Sequence, residues 1–259
     1  MTEKQSKITK RLIAGIFTAA GIALFSYITS PVTFYLYSKT ESRSVREYVE
    51  KHVDDLIEEQ EDSLGIRYPG RPTFHYQLPE DTISILDGFG SCSFGRYNQD
   101  EDTIYLRSGV LRTPERSIDE LLIHILTWGK TAEARVIVSH ELSHYYTDKR
   151  GQELMGRDWI PSDRELNDLL RNKVEVMAFV TVVEGIAVYV QKRIYPDLDF
   201  EYGGRKYEQG FQFVKPIIDR FGSRGIDYLI VNTPTAEELR SPEAYWKKAE
   251  IKFSRDDSP

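Results

Sequence analysis

The segment SHELSH, residues 139–144, constrains the fold more than any other part of the sequence. His140 and His144 are four residues apart, and Glu141 directly follows the first of them. On an α-helix, positions i and i+4 lie one turn apart on the same face, so both imidazoles can reach one metal ion if this segment is helical. Glu141 would lie beside the ion, where its carboxylate can act as general base toward a coordinated water. The fold must bring a third ligand from elsewhere.

Few residues can supply that third ligand. No histidine follows His144, and the upstream His75 and His124 lie in no ligand pattern, although they stay open as alternatives. Glu184 lies in the apolar segment VVEGIAVYV, residues 182–190. A buried carboxylate is costly unless its charge is neutralised, and Zn²⁺ held by His140, His144 and Glu184 would neutralise it. The alternative is that Glu184 pairs with a buried lysine or arginine.

Two segments resemble a known class of enzymes. HELSHYYTD resembles the active-site helix of thermolysin-type metallopeptidases, and EGIAVY resembles a segment of the gluzincins. Gluzincins bind zinc through both histidines of HExxH and a glutamate on a later helix. The resemblance therefore implies His140, His144 and Glu184 as zinc ligands and Glu141 as the base in peptide-bond hydrolysis. It covers only these two segments, 15 of the 259 residues.

The chain also departs from these families. The 39 residues between His144 and Glu184 are about twice the commonest gluzincin spacing. Val188 stands where thermolysin-type enzymes carry an aspartate, and the GAMEN segment of the aminopeptidases is absent. These departures favour an endopeptidase of an uncharacterised family over an aminopeptidase. A non-catalytic, membrane-tethered binding module that keeps a zincin-like fold is the alternative function.

The residue patterns predict an α+β, zincin-like metallopeptidase domain over residues 67–259, with a small mixed or antiparallel sheet followed by a mostly helical part. Residues 102–108, DTIYLRS, alternate as a strand, which we expect at a sheet edge where a substrate backbone could pair; an ordinary strand of the sheet is the alternative. Residues 88–100 are rich in Gly, Ser and Asn and predict a loop that contains the single cysteine, Cys92. The zinc helix should end near Gly151, and the apolar segment 174–190 should form a buried helix. Gly65 is a predicted helix stop, Thr235 and Glu238 match a capping box, and a helix should begin at Ser241-Pro242.

The first part of the chain predicts a membrane anchor. The segment from Leu12 to Ser38 contains no charged residue. It is longer than the roughly 20 residues that span a bilayer core. Lysines and arginine within residues 1–11 precede it and should stay cytoplasmic. We therefore predict a transmembrane anchor over 12–37, a juxtamembrane helix over 38–66, and a catalytic domain outside the cell membrane. A cleaved signal peptide is the alternative.

The remaining candidates are side chains that could assist the reaction. Tyr189, Tyr207 and Tyr105 are candidates for oxyanion or substrate contacts, with Tyr146 and Tyr202 also available. Asp148 could orient a ligand, but we interpret it as a polar residue at the end of the zinc helix. The net charge of -7 argues against nucleic acid as a partner. The expected partners are a peptide or protein substrate and the lipid bilayer.

Overall fold

The structure is a computed structural model that describes residues 41–77, 94–115, 120–122, 132–160, 173–197 and 205–256. The described part is mixed α+β and mostly helical, as predicted. Its helices are α1 (Arg43–Leu64), α2 (Ala134–Met155), α3 (Lys173–Ile194), α4 (Arg205–Phe221), α5 (Ser223–Val231), α6 (Ala236–Arg240) and α7 (Pro242–Asp256). Its strands are β1 (Thr73–His75), β2 (Gly95–Asn98), β3 (Thr103–Leu106), β4 (Leu111–Arg112) and β5 (Ala132–Glu133). The predicted anchor over 12–37, His124, Cys92 and Tyr202 lie outside the described residues.

Helix α1 begins and ends on local signals. The Ser42 side chain accepts a hydrogen bond from the Val45 N–H, and Gly65 ends the helix with φ of 64°. Its buried face, which includes Val49 and Val53, packs on α2 and α3, and Val49 belongs to the same core cluster as Ile104 of β3. The buried Gln60 side chain donates to the backbone oxygen and the hydroxyl of Ser139, both at 2.9 Å. Helix α1 is therefore bonded directly to the helix that contains the histidine pair.

The main sheet has three strands in the order β1-β3-β2, with β1 parallel and β2 antiparallel to β3. The side chains of Ile104 and Leu106 on the central strand are fully buried. The prediction that residues 102–108 form an edge strand is wrong, because β3 pairs on both sides. The loop prediction is wrong for Gly95–Asn98, which forms β2. The pattern missed this strand because glycine occupies one of its buried positions.

Helix α2 is longer than the sequence predicted. It continues past Gly151 to Met155 and ends at Gly156, whose φ is 69°. Gly151 is a packing position, because a Cβ there would lie 2.3 Å from the Cβ of Trp159. A buried glycine in close contact with a tryptophan resembles a helix stop in the sequence, but its role here is steric.

Helix α3 is the apolar helix of the core. Its segment Val174–Ile194 is long and apolar enough to cross a membrane, but 67% of the most apolar window is buried within the protein. It packs against α2, α4 and α1. The predicted burial is confirmed for most of the helix, although Val174 and Met177 near its beginning are exposed.

Helices α3 and α4 approach closely at a pair of glycines. A Cβ on Gly185 would lie 2.4 Å from the carbonyl carbon of Gly210, and a Cβ on Gly210 would lie 2.0 Å from the carbonyl oxygen of Thr181. No side chain fits between the two backbones there. The contact fixes which residues of the first turn of α4 face α3.

The last two described helices begin at the positions that the sequence predicted. Thr235 and Glu238 form a reciprocal capping box at the beginning of α6, and α7 begins at Pro242. Glu175, on the face of α3 opposite Glu184, accepts a hydrogen bond from the Ala236 N–H at 3.1 Å. This bond ties α6 to the beginning of α3.

Candidate metal centre

Helices α2 and α3 bring the three predicted ligands together. The Nε2 atoms of His140 and His144 are 3.2 Å apart, and Oε2 of Glu184 lies 3.1 Å and 3.6 Å from them, respectively. Both imidazoles are nearly buried, and the Glu184 side chain retains 16% of its accessible surface. This buried His-His-Glu group could bind a metal ion.

The size of this triangle fits a tetrahedral ion with nitrogen and oxygen ligands. Tetrahedral bonds of about 2.0–2.1 Å place neighbouring ligand atoms about 3.3–3.4 Å apart. The three observed separations of 3.1, 3.2 and 3.6 Å bracket that value. The donor set of two imidazoles and one carboxylate also suits Zn²⁺.

The charges of the group stabilise one another. Burial raises the pKa of Glu184, but hydrogen bonds from His140 and His144 outweigh it, and the net pKa is well below its ordinary value. Burial lowers the pKa of His144, but the hydrogen bond and charge of Glu184 outweigh it, and the net pKa is raised. An anionic carboxylate is therefore favoured at residue 184, as a metal ligand requires.

A cation also contacts Glu184, which the sequence analysis left open as an alternative. Nζ of Lys206, from the first turn of α4, lies 3.3 Å from Oε1 of Glu184. The two carboxylate oxygens therefore have different neighbours, with the histidines at Oε2 and the lysine at Oε1. Lys206 could not be predicted from the sequence, because the Gly185–Gly210 contact between two helices brings that turn of α4 beside Glu184.

Glu141 is buried between the histidines and β2. A Cβ on Gly95 would lie 2.9 Å from both Cγ and Oε1 of Glu141, so only glycine permits this approach. The backbone N–H of Tyr97 donates to the Glu141 carboxylate. Burial raises the pKa of Glu141, and the charges of His144 and His140 oppose this without cancelling it. The carboxylate is thus oriented by β2 and is easier to protonate than an exposed glutamate.

Tyr207 is the tyrosine, among those predicted to assist the reaction, that lies beside the His-His-Glu group. Its ring centroid lies 6.4 Å from that of His140. Burial raises the pKa of Tyr207 well above its ordinary range, and the charges of Glu184 and Glu141 raise it further, so the hydroxyl stays protonated.

The other candidates have partners elsewhere. The Tyr189 hydroxyl donates to Asp219 at 2.8 Å, and the Tyr105 hydroxyl donates to Glu101. Tyr146 packs in the core with its ring 5.4 Å from that of Tyr68. His75 lies on β1 with its ring 5.1 Å from that of Tyr105 and is not part of the His-His-Glu group.

Asp148 is neither a ligand-orienting residue nor a polar residue at a helix end. Its side chain is fully buried, and one oxygen accepts hydrogen bonds from the N–H groups of Trp159 and Ile160 at 3.1 and 3.0 Å. The other oxygen accepts from the Tyr97 hydroxyl at 3.1 Å. Asp148 therefore joins α2 to β2 and to the segment after α2. The interpretation as a helix-end residue is wrong because α2 continues for two more turns.

Comparisons of the chain with protein-family models, with curated proteins and with solved structures found no match.

Proposed function

We propose that this protein is a zinc-dependent endopeptidase with a zincin-like fold. The observation that carries the proposal is the triangle of His140, His144 and Glu184 with the Glu141 carboxylate beside it. The residue types, the helical spacing and the ligand separations all fit a tetrahedral zinc site. The resemblance of the two sequence segments to gluzincins supports the same reading.

The number of ligands favours a catalytic over a structural site. Among the described residues, the group contains three ligands, whereas structural zinc sites close all four positions. A zinc ion bound by these three residues would supply a Lewis acid and lower the pKa of water in the open position.

Glu141 would act as the proton carrier. Its carboxylate, oriented by the Tyr97 N–H, takes a proton from the attacking water and later delivers it to the leaving amine. The raised pKa of Glu141 suits this double role, because a carboxylate that is too acidic holds a proton poorly. Tyr207 would donate its hydroxyl hydrogen to the oxygen that becomes negative in the transition state.

In the described part of the chain, β2 lies at one edge of the main sheet, and we propose that the substrate backbone lies along it. The Arg107 N–H donates to the Phe94 oxygen, and antiparallel pairs alternate, so the N–H of Tyr97 points away from β3 and toward the Glu141 carboxylate. That edge faces Glu141. An extended peptide beside it would place its backbone next to the proposed base, which replaces β3 with β2 as the proposed substrate strand.

The proposed location follows from the sequence. The uncharged segment 12–37, preceded by basic residues, would anchor the protein in the cell membrane with residues 38–259 outside. The proposed substrates are then peptides or proteins on the outer side of that membrane.

The test uses the full-length chain purified in detergent without chelators. We expect about one zinc per chain and cleavage of a broad peptide library. Glu141→Gln should retain zinc and lose cleavage by at least about 100-fold, the usual effect of removing a general base. Glu153→Gln, an exposed glutamate on the same helix, is the control and should cleave normally.

Two results would count against the proposal. A chain that contains no metal after purification and after incubation with Zn²⁺ refutes the site itself. A chain that binds zinc but leaves the library uncut, in both the wild type and Glu141→Gln, supports the non-catalytic binding module instead.

A further inference from the structure

We infer that Lys206 is a positioning residue that restricts Glu184 to a single metal-binding oxygen, and this inference rests on the proposed metal centre. A carboxylate can bind an ion through one oxygen or through both. In this structure, Oε2 of Glu184 faces the two histidines, while Oε1 accepts a hydrogen bond from Lys206 at 3.3 Å. The ammonium group therefore occupies the oxygen that two-oxygen binding would need.

The backbone fixes Lys206 in this place. Lys206 precedes Gly210 by four residues, one helical turn, so both lie on the same face of α4. Glu184 directly precedes Gly185, which touches Gly210 backbone to backbone. The close approach of the two helices therefore places the lysine one turn from the contact point and beside the glutamate. A lysine stem of four carbons can span that short gap.

The partial burial of both side chains favours the interaction. The Glu184 side chain retains 16% of its accessible surface and the Lys206 side chain 29%, so water screens the pair only partly. A hydrogen bond between two charged groups is stronger than a neutral one. The pair should persist while the other oxygen binds a cation.

The consequence concerns the open position of the metal. Two imidazoles and one carboxylate oxygen leave the fourth tetrahedral position free for water and substrate. If both oxygens of Glu184 bound the ion, the second would occupy space near that position. Lys206 thereby preserves an open site, and it does so without touching the ion or the substrate.

The test replaces zinc with Co²⁺, whose visible absorption distinguishes four from five ligands. We expect the wild type to show the intense absorption of four-coordinate Co²⁺ and Lys206→Met to show the weaker absorption of five-coordinate Co²⁺. Lys206→Arg, which keeps a charged donor, should return the spectrum to the wild-type form. Lys192→Met is the control, because Lys192 is an exposed lysine on α3 that packs over Phe211.

The affinity for zinc, measured by competition with a chromophoric chelator, gives a second readout. Loss of a residue that orients a ligand typically weakens metal binding by about 10–100-fold, and we expect Lys206→Met to fall in that range. The lysine charge also repels the ion, and removing this repulsion acts in the opposite direction, so the spectrum is the decisive measurement.

Each outcome decides the inference. A Lys206→Met spectrum identical to that of the wild type overturns it. If Lys206→Met binds no Co²⁺, the Lys206→Arg variant decides. Binding of Co²⁺ by Lys206→Arg supports the inference, and no binding by Lys206→Arg overturns it. A wild-type chain that binds no Co²⁺ or Zn²⁺ refutes the metal centre and the proposed function together. Metal binding without peptide cleavage refutes the proposed peptidase function alone.

Discussion

The contact between Gly185 and Gly210 makes Gly210→Ala a sharp test of how the metal centre is built. A methyl group on residue 210 would lie 2.0 Å from the carbonyl oxygen of Thr181. Ordinary contacts between such atoms are about 3.5 Å, so the two helices would have to separate by more than about 1 Å. A backbone carbonyl within a helix cannot rotate away as a side chain can.

The expected cost follows from two opposing contributions. Overpacking a close contact costs about 1–3 kcal/mol, with the upper end expected here because both partners are backbone. Alanine is a better helix former than glycine and returns about 0.5–1 kcal/mol. We therefore expect Gly210→Ala to lower the free energy of unfolding by about 2 kcal/mol.

The separation should also disturb the site. Glu184 and Lys206 lie on either side of the contact, so the carboxylate should move relative to the histidines and zinc affinity should fall by about 10-fold or more. Urea unfolding followed by circular dichroism measures the first effect, and competition with a chelator measures the second. Gln209→Ala is the control, because residue 209 is an exposed neighbour on the same helix. If Gly210→Ala is as stable as Gln209→Ala and binds zinc equally well, the proposed role of the contact is refuted.

Three further predictions concern stability. Removal of metal by a chelator should lower the melting temperature. Adding zinc at 100 times its dissociation constant should raise the free energy of unfolding by about 2.7 kcal/mol. Glu184→Gln should reduce the difference in stability between the metal-free and the zinc-bound protein. Asp148→Ala should cost about 3 kcal/mol, measured by urea unfolding, because the N–H groups of Trp159 and Ile160 lose their acceptor and the Tyr97 hydroxyl keeps only Asp102; a loss below about 1 kcal/mol would contradict this. Burial raises the pKa of Glu238, but the hydrogen bonds from Lys248 and Thr235 outweigh burial, and the net pKa is lowered. The ionised Glu238 therefore stabilises the folded protein at a pH above the ordinary pKa of 4.5, and this stabilisation is lost as the pH falls through the lowered pKa. Glu238→Gln should therefore be less stable than the wild type by up to about 1 kcal/mol at neutral pH, and this difference should shrink in acid.

The sequence predicted best those features that depend on neighbouring residues. The end of α1 at Gly65, the capping box of Thr235 and Glu238, and the beginning of α7 at Pro242 follow from local backbone chemistry. The pairing of the HExxH helix with Glu184 was also predictable, because a carboxylate in an apolar helix needs a partner.

The sequence failed where distant segments decide the outcome. Strand β2 was not predicted because it contains Gly95, and glycine in a sequence indicates a loop. The glycine is required here because the Glu141 side chain lies where a Cβ would be. The central position of β3 depends on its parallel pairing with β1, in which Thr73 pairs with Thr103 far along the chain. Lys206 reaches Glu184 through the crossing of two helices, and no spacing rule anticipates that contact.

The hydrogen bonds from Gln60 to Ser139 have a practical consequence for any shortened form of the protein. Ser139 directly precedes His140, and the residue that supports it belongs to the first described helix. Removing α1 would remove the Gln60 amide that bonds to Ser139 and would expose the surface of α2 that α1 covers. A shortened form that keeps the candidate metal centre supported should therefore begin no later than Ser42.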